Sequence, residues 1–173
     1  RSGVIAALDI GTSKVSCFIA QKIIDEDSGK TAMRIIGVGH QVSRGLRGGV
    51  VVDMEAAEKS IRKAIDAAER MANMIVKKVV VGVTSPKLAS SSYKISLNLN
   101  GLAVNDQHMG QALLFARDKC QSPEVEVLHA IPVSYTVDDS FNVDDPRGLF
   151  GEKLLVNAHA ITSPVGPVRN LLA

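Results

Sequence analysis

The chain has 173 residues, of which 46% are hydrophobic and 22% are charged. These values are ordinary for one globular domain or two small ones, and they exclude a disordered chain. The net charge is only +2, and the chain holds four Phe, two Tyr and no Trp. So small a charge and so few aromatic rings argue against a nucleic-acid surface and against carbohydrate stacking.

The N-terminal segment predicts three strands separated by turns. Apolar runs at residues 4–9 and 15–23 flank the polar turn Gly11–Lys14, a pattern typical of a tight hairpin. An acidic stretch at residues 25–30 predicts a second, exposed turn, and residues 33–38 predict a third strand. The glycines that follow predict a glycine-rich loop: Gly37, Gly39, Gly45, Gly48 and Gly49.

A long amphipathic helix is predicted next. Asp53 is a favoured N-cap residue, and small or apolar residues recur after it at spacings of three and four. They predict a helix of about 20 residues with a narrow face that packs closely on a sheet: Ala57, Ile61, Ala64, Ile65, Ala68, Met71 and Ala72. The apolar run at residues 76–84 predicts a strand buried on both faces. The first 84 residues therefore predict the order β-β-β-α-β.

The second half predicts a separate small unit that begins with a strand and a helix. Apolar and polar residues alternate towards the end of residues 88–99, which indicates a half-buried strand. Asn100-Gly101 is a turn signal, and Asn105 is a good cap for a helix that reaches Cys120.

The unit continues with two further strands. Residues 125–137 predict a strand in which Pro132 implies an edge or a bulge, residues 141–151 predict a loop, and residues 154–161 predict the last strand. The order of this unit is then β-α-β-β. Pro167 lies near the start of a final predicted helix. Because the chain starts at a residue other than Met and stops within that helix, we expect it to be a fragment of a longer protein.

The polar turn after the first strand is the best candidate for a binding site. Gly11, Thr12 and Ser13 can direct successive backbone N–H groups into one concavity that holds phosphate oxygens. Lys14 adds a positive charge, and Asp9 can hold a water bound to Mg²⁺. The alternative is a plain hairpin with a surface lysine and a turn aspartate. Neither the P-loop pattern nor G-x-G-x-x-G occurs in the chain.

Other candidate residues are better explained without a special function. The segment Ser43–Gly49 places arginines beside glycines, as in some RNA-binding tails, but a flexible connection between two strands is the preferred interpretation. The histidines lack metal-binding spacings, and His129 and His159 are predicted to be structural imidazoles in strands. Cys17 and Cys120 have no histidine nearby to activate them, so we predict neither a catalytic residue nor a metal site.

Several motifs together resemble a known family. The residues Ala-Leu-Asp-Ile-Gly-Thr-Ser-Lys at 7–14 are similar to the first phosphate loop of the actin, Hsp70 and sugar-kinase ATPase superfamily. The motifs within residues 36–53, 64–72, 127–132 and 146–151 resemble the FtsA family of bacterial cell-division proteins. The resemblance extends over nearly the whole chain.

The resemblance implies an α/β fold in which an actin-like (RNase-H-like) mixed-sheet subdomain carries an inserted small α+β module, called SHS2. Residues 1–83 would be the first part of subdomain 1A, residues 84–162 the inserted subdomain 1C, and residues 163–173 the return to subdomain 1A. The residues that match the family's phosphate-1 motif are Asp9, Gly11, Thr12, Ser13 and Lys14. Half of an ATP site is therefore expected in this chain.

The resemblance also implies a function for the full-length protein. Such a protein binds ATP and Mg²⁺ between two lobes, polymerises, and tethers the FtsZ ring to the inner face of the cytoplasmic membrane at the division site. FtsZ is expected to bind a second lobe, the membrane to bind a C-terminal helix, and late division proteins such as FtsN to bind residues 84–162. ATP hydrolysis is expected to be weak at most in the full-length protein. This chain alone is expected to be inactive and to hold no nucleotide.

Two rival interpretations share the phosphate-1 hairpin. A sugar- or acetate-kinase-like phosphotransferase lobe would need a catalytic aspartate, whereas Asp53 is predicted to be a helix cap. An actin homologue of bacterial shape or pilus assembly would share the hairpin but lack the motifs at residues 43–50 and 146–151.

Overall fold

The computed structural model describes residues 3–24, 29–85 and 87–173, which form ten strands and three helices. The chain divides into two compact units. The first consists of Arg1–Pro86 and Asn170–Ala173, and the second of Lys87–Arg169. Residues 25–28 of the predicted acidic turn lie outside the described residues.

The first unit is a four-stranded mixed sheet with one long helix. Its elements are β1 (Val4–Ile10), β2 (Lys14–Ile24), β3 (Thr31–Val42), β4 (Leu46–Arg47), β5 (Val50–Val51), α1 (Met54–Ala72) and β6 (Val80–Gly82). The sheet order is β3-β2-β1-β6, with β1, β2 and β3 antiparallel and β6 parallel to β1. The predicted order β-β-β-α-β is confirmed, with the short β4–β5 hairpin added before the helix.

The bounds of α1 follow from its capping residues. The Asp53 side chain accepts a hydrogen bond from the Ala56 N–H at 3.0 Å, which satisfies one of the amides that a helix start leaves unpaired. The helix ends where Asn73 adopts a left-handed conformation with φ of 51°, which asparagine tolerates better than most residues. The predicted N-cap and the predicted length are both confirmed.

The helix α1 lies unusually close to β3. A Cβ atom added to Gly37 would overlap the backbone carbonyl of Ala68, and one added to Gly39 would overlap the carbonyl of Ala64. Both alanines are fully buried. The prediction that Gly37 and Gly39 belong to a loop is therefore wrong. They are strand residues that lack a side chain because the helix backbone occupies that space.

The opposite face of the same sheet is apolar and exposed. The strand register aligns Val38, Phe18, Ala7 and Val80 in one row across β3, β2, β1 and β6. Val80 is 64% exposed. The predicted strand at residues 76–84, buried on both faces, is therefore wrong in two respects: β6 has three residues, and only one face of the sheet is covered by α1.

The second unit is an antiparallel sheet with one helix packed on it. Its elements are β7 (Ala89–Asn98), α2 (Asp106–Cys120), β8 (Val125–Val137), β9 (Ser140–Val143), β10 (Lys153–Pro164) and α3 (Val165–Leu172), whose last residues belong to the first unit. The sheet order is β7-β10-β8-β9. The core is formed by alternate residues of the strands and by small residues of α2, which include Ala112 and Ala116.

Two details of this unit differ from, or refine, the prediction. Part of the predicted loop at 141–151 is the strand β9, which pairs with β8 after a tight turn at Asp138, where φ is 49°. The predicted irregularity at Pro132 is confirmed. The β8–β10 register shifts beside it, so that Val133 is a bulge, and β9 pairs only with residues 135–137 of β8.

We predict that Gly39→Ala lowers the free energy of unfolding of the first unit by about 3 kcal/mol or more, because the new methyl group must push α1 away from β3. The matched control is Gly82→Ala in the same sheet, where the added Cβ finds nothing closer than 3.8 Å. This control should leave stability unchanged or raise it by up to about 1 kcal/mol. Hydrogen exchange of the α1 amides in increasing urea measures the free energy of unfolding of both variants. Equal protection in the two variants would contradict the close contact.

Candidate functional site

The candidate site lies at the tip of the β1–β2 hairpin. The last register pair of the hairpin is Ile10 with Val15, and the turn is closed by a hydrogen bond of 2.9 Å from the Gly11 N–H to the Lys14 carbonyl. A Cβ atom on Gly11 would lie 3.0 Å from the same carbonyl oxygen, which is tighter than most real contacts. Glycine therefore allows a tight tip, but its own N–H is used inside the hairpin.

The five predicted site residues are brought together by this hairpin. Thr12, Ser13 and Lys14 are exposed, and Asp9 is exposed on the sheet face that α1 leaves open. Among the described residues, the N–H groups of Thr12 and Ser13 have no acceptor. Two free amides, two hydroxyl groups and one ammonium group can together bind an anion such as phosphate. Whether they do so stays a prediction.

A polar row next to the hairpin was missed in the sequence. Asp9 is paired with Ser16 on one side and with Gly82 on the other, and Ser16 is in turn paired with His40. The Ser16 Oγ and the His40 Nδ1 lie 3.1 Å apart, and Ser16 is buried. The row is the polar end of an otherwise apolar sheet face. Only the strand register, which sequence alone did not provide, places His40 near Asp9.

The cysteine of the first unit is an unreactive core residue. Cys17 is fully buried beneath α1, and burial, followed by the charge of Glu69, raises the pKa of its thiol. Such a thiol remains protonated and unreactive at neutral pH.

Over residues 3–24, 29–85 and 87–173, no cluster of three or more His, Cys, Asp or Glu residues can hold a metal ion. In the same residues, no helix is long and apolar enough to span a bilayer.

The second unit carries one well-formed ionic cluster. The Arg147 guanidinium donates to both carboxylate oxygens of Asp145 and, at 3.2 Å, to Asp106 at the start of α2. The hydrogen bonds from the side chain and the backbone of Arg147 lower the pKa of Asp145 to about 2. The cluster fixes the segment before β10 against the first turn of α2. The pKa of Asp145 is lowered and that of Arg147 is raised, so both groups stay charged at neutral pH.

Comparison with known proteins shows which proteins this chain resembles. A family model described as the SHS2 domain inserted in FTSA matches residues 85–162. The Cell division protein FtsA of Agrobacterium fabrum is 36% identical over 99% of this chain. The chain is similar to FtsA over nearly its whole length. It spans 40% of the length of that protein and 36% of the length of the Streptococcus pneumoniae FtsA, to which it is 31% identical.

The structural comparison supports the fold. A chain of the PilM-PilN type IV pilus biogenesis complex superposes with a TM-score of 0.55 over 97% of this chain and 42% of its own length, at 14% identity. At that identity only the fold is shared. The predicted actin-like fold with an inserted SHS2 module is thus confirmed, and so is the resemblance to FtsA. The assignment of the ranges 1–83, 84–162 and 163–173 to subdomains 1A and 1C stays a prediction.

We predict that the carboxyl group of Asp145 titrates at about pH 2 in the folded chain. The folded pKa lies below the unfolded value, so this interaction stabilises the fold above pH ~4 and is lost as the pH falls towards 2. Arg147→Gln should raise the pKa only part of the way towards its ordinary value, because the backbone N–H of residue 147 still donates to Asp145. Arg147→Lys keeps the charge but not the two-pronged guanidinium geometry, so its pKa should lie between those of the unaltered chain and Arg147→Gln. Carboxyl carbon NMR titration measures all three. An unchanged midpoint in Arg147→Gln would contradict the assignment.

Proposed function

We propose that this chain is part of an actin-like, ATP-binding cell-division protein that tethers the FtsZ ring to the cytoplasmic membrane and recruits later division proteins. The observation that carries the proposal is the similarity to proteins named Cell division protein FtsA over 99% of the chain. FtsZ binding and membrane attachment belong, in this proposal, to parts of the longer protein. The protein acts at the inner face of the membrane, at the division site.

The nucleotide part of the proposal rests on the β1–β2 hairpin. Its free amides and its ammonium group are directed to solvent, where an anion can reach them. One loop can surround only one side of a triphosphate, and each net hydrogen bond in open water contributes only about 0.5–1.5 kcal/mol. A second loop, from another lobe, and Mg²⁺ are needed to complete the site. The kinase alternative finds no support in the relatives or in the SHS2 match.

We predict that the chain alone binds ATP with millimolar affinity or weaker and does not hydrolyse it, because half of the site leaves the phosphates hydrated. Micromolar binding in calorimetry would contradict this. In the full-length protein, Lys14→Ala should weaken ATP binding, since it removes the one positive charge of the hairpin tip. Lys22→Ala, near the other end of β2, is the matched control and should bind as the unaltered protein does. Equal affinity in both variants would remove Lys14 from the site.

The docking part of the proposal rests on β8. Because β9 pairs only with residues 135–137, residues 126–133 of β8 have no strand partner on that side among the described residues. Ile131 is 47% and Val133 67% exposed there. An unpaired strand edge with exposed apolar side chains can accept an extended segment of another chain. Late division proteins such as FtsN, and neighbouring subunits of the polymer, are the proposed partners.

The charge around this edge favours a basic segment as the partner. Residues 120–146 contain six Asp or Glu residues and no Lys or Arg. Natural edge strands commonly carry lysine, which discourages further pairing, and this one carries none. An acidic surface accelerates the association of a cationic segment, and the association weakens with salt.

We predict that deletion of residues 84–162 in the full-length protein, closed with a short Gly/Ser linker, abolishes self-assembly and recruitment of late proteins but spares ATP binding and membrane attachment. A point variant refines the test. Ile131→Lys should impair recruitment by charging the free edge, whereas Ser90→Lys, on the strand at the opposite side of the sheet, should not. Recruitment by a folded deletion protein would refute the docking role.

A further inference from the structure

The segment Ser43–Gly49, which the proposed function does not use, lies against the tip of the β1–β2 hairpin. The Ser43 N–H donates to the Ser13 carbonyl at 3.1 Å, and the Gly49 N–H donates to the Thr12 Oγ1 at 3.0 Å. One end of the segment is therefore bonded to Ser13 and the other to Thr12, the two residues whose own N–H groups have no acceptor.

The segment is itself fixed to the start of α1. The Gly45 carbonyl accepts hydrogen bonds from the N–H groups of Val52 and Asp53, at 2.8 and 3.1 Å. Gly45 has φ of 79°, and a Cβ atom there would overlap the Asp53 carbonyl. The Arg44 N–H donates to the Ser60 Oγ, nearly two turns into the helix, at 3.2 Å. The segment is thus a braced connection, which contradicts the flexible connection predicted from sequence.

The bond from Gly49 limits what the Thr12 hydroxyl can do. A hydroxyl group has one donor and two acceptor positions, and the Gly49 N–H occupies one acceptor position. The O–H donor is not used in that bond. We propose that the Ser43–Gly49 segment is a positioning element that holds the Thr12 hydroxyl so that it donates to an anionic oxygen of the polyphosphate class. The anion half of this inference rests on the proposed function.

The first experiment tests the brace without any ligand. Amide hydrogen exchange of Gly49 is measured by NMR in the unaltered chain and in three variants. Thr12→Val removes the acceptor and should expose the Gly49 amide to exchange. Thr12→Ser keeps the acceptor, and Ser13→Ala keeps the carbonyl to which Ser43 donates, so both should retain protection. Rapid exchange in the unaltered chain, or equal protection in Thr12→Val, would overturn the brace.

The second experiment tests the hydroxyl as a donor. Mg·ATP is titrated into the full-length protein, in which the proposed site is complete, while the amide shifts of Thr12 and Lys14 are followed, with sodium chloride at equal ionic strength as a control for screening. Thr12→Val should weaken the response about tenfold, as expected for loss of a hydrogen bond to a charged group, and Thr12→Ser should restore it. An unchanged midpoint in Thr12→Val would overturn the donor role.

The two readouts separate this inference from the proposed function. If the full-length protein gives no ATP-dependent shift while the Gly49 exchange pattern is as expected, the brace stands and the nucleotide role of the hairpin fails. If the shifts occur but Gly49 is unprotected, the hairpin binds the anion and the brace fails.

Discussion

The close approach of α1 to β3 is the constraint on which the first unit depends. The helix backbone at Ala64 and Ala68 occupies the space where side chains at Gly37 and Gly39 would stand. So small a separation is available only to a helix with a face of alanines, and only over a strand with glycines at alternate positions. Any side chain at those glycines would lift the helix from the sheet and uncover the core around Cys17.

The position of the hairpin tip follows from this contact. The residue before α1, Asp53, caps the helix and also fixes Gly45 through its N–H group. From Gly45 the braced segment leads to Ser43 and Gly49, which hold Ser13 and Thr12. A continuous series of hydrogen bonds therefore links the start of α1, through the Ser43–Gly49 segment, to the hydroxyl group of Thr12. A binding loop keeps its hydrogen-bond donors in place when rigid neighbouring elements support it, as the Ser43–Gly49 segment supports this hairpin.

Much of this arrangement could be predicted from local patterns. The N-caps at Asp53 and Asn105, the alternation in β7 and the irregularity at Pro132 each depend on a few neighbouring residues, and the structure agrees with all of them. The errors concern properties that distant residues decide. Glycine at positions 37 and 39 signals a loop unless the helix that packs on it is known. The pairing of His40 with Ser16, and the bond from Gly49 to Thr12, likewise require the strand register. The hairpin itself was recognisable because all five of its residues lie within one short segment.

The parallel pairing of β1 with β6 has a consequence for folding kinetics. Ala7 and Val80 are adjacent in the sheet but 73 positions apart in the chain, whereas β1, β2 and β3 follow one another in the chain and pair antiparallel. Closing so long a loop costs chain entropy before any contact repays it. We therefore expect the β1–β2–β3 meander to form early, and β6 to join only after α1 has docked. During that interval the edge of β1 is open to pairing with another nascent chain, which makes this step the one most exposed to misassembly.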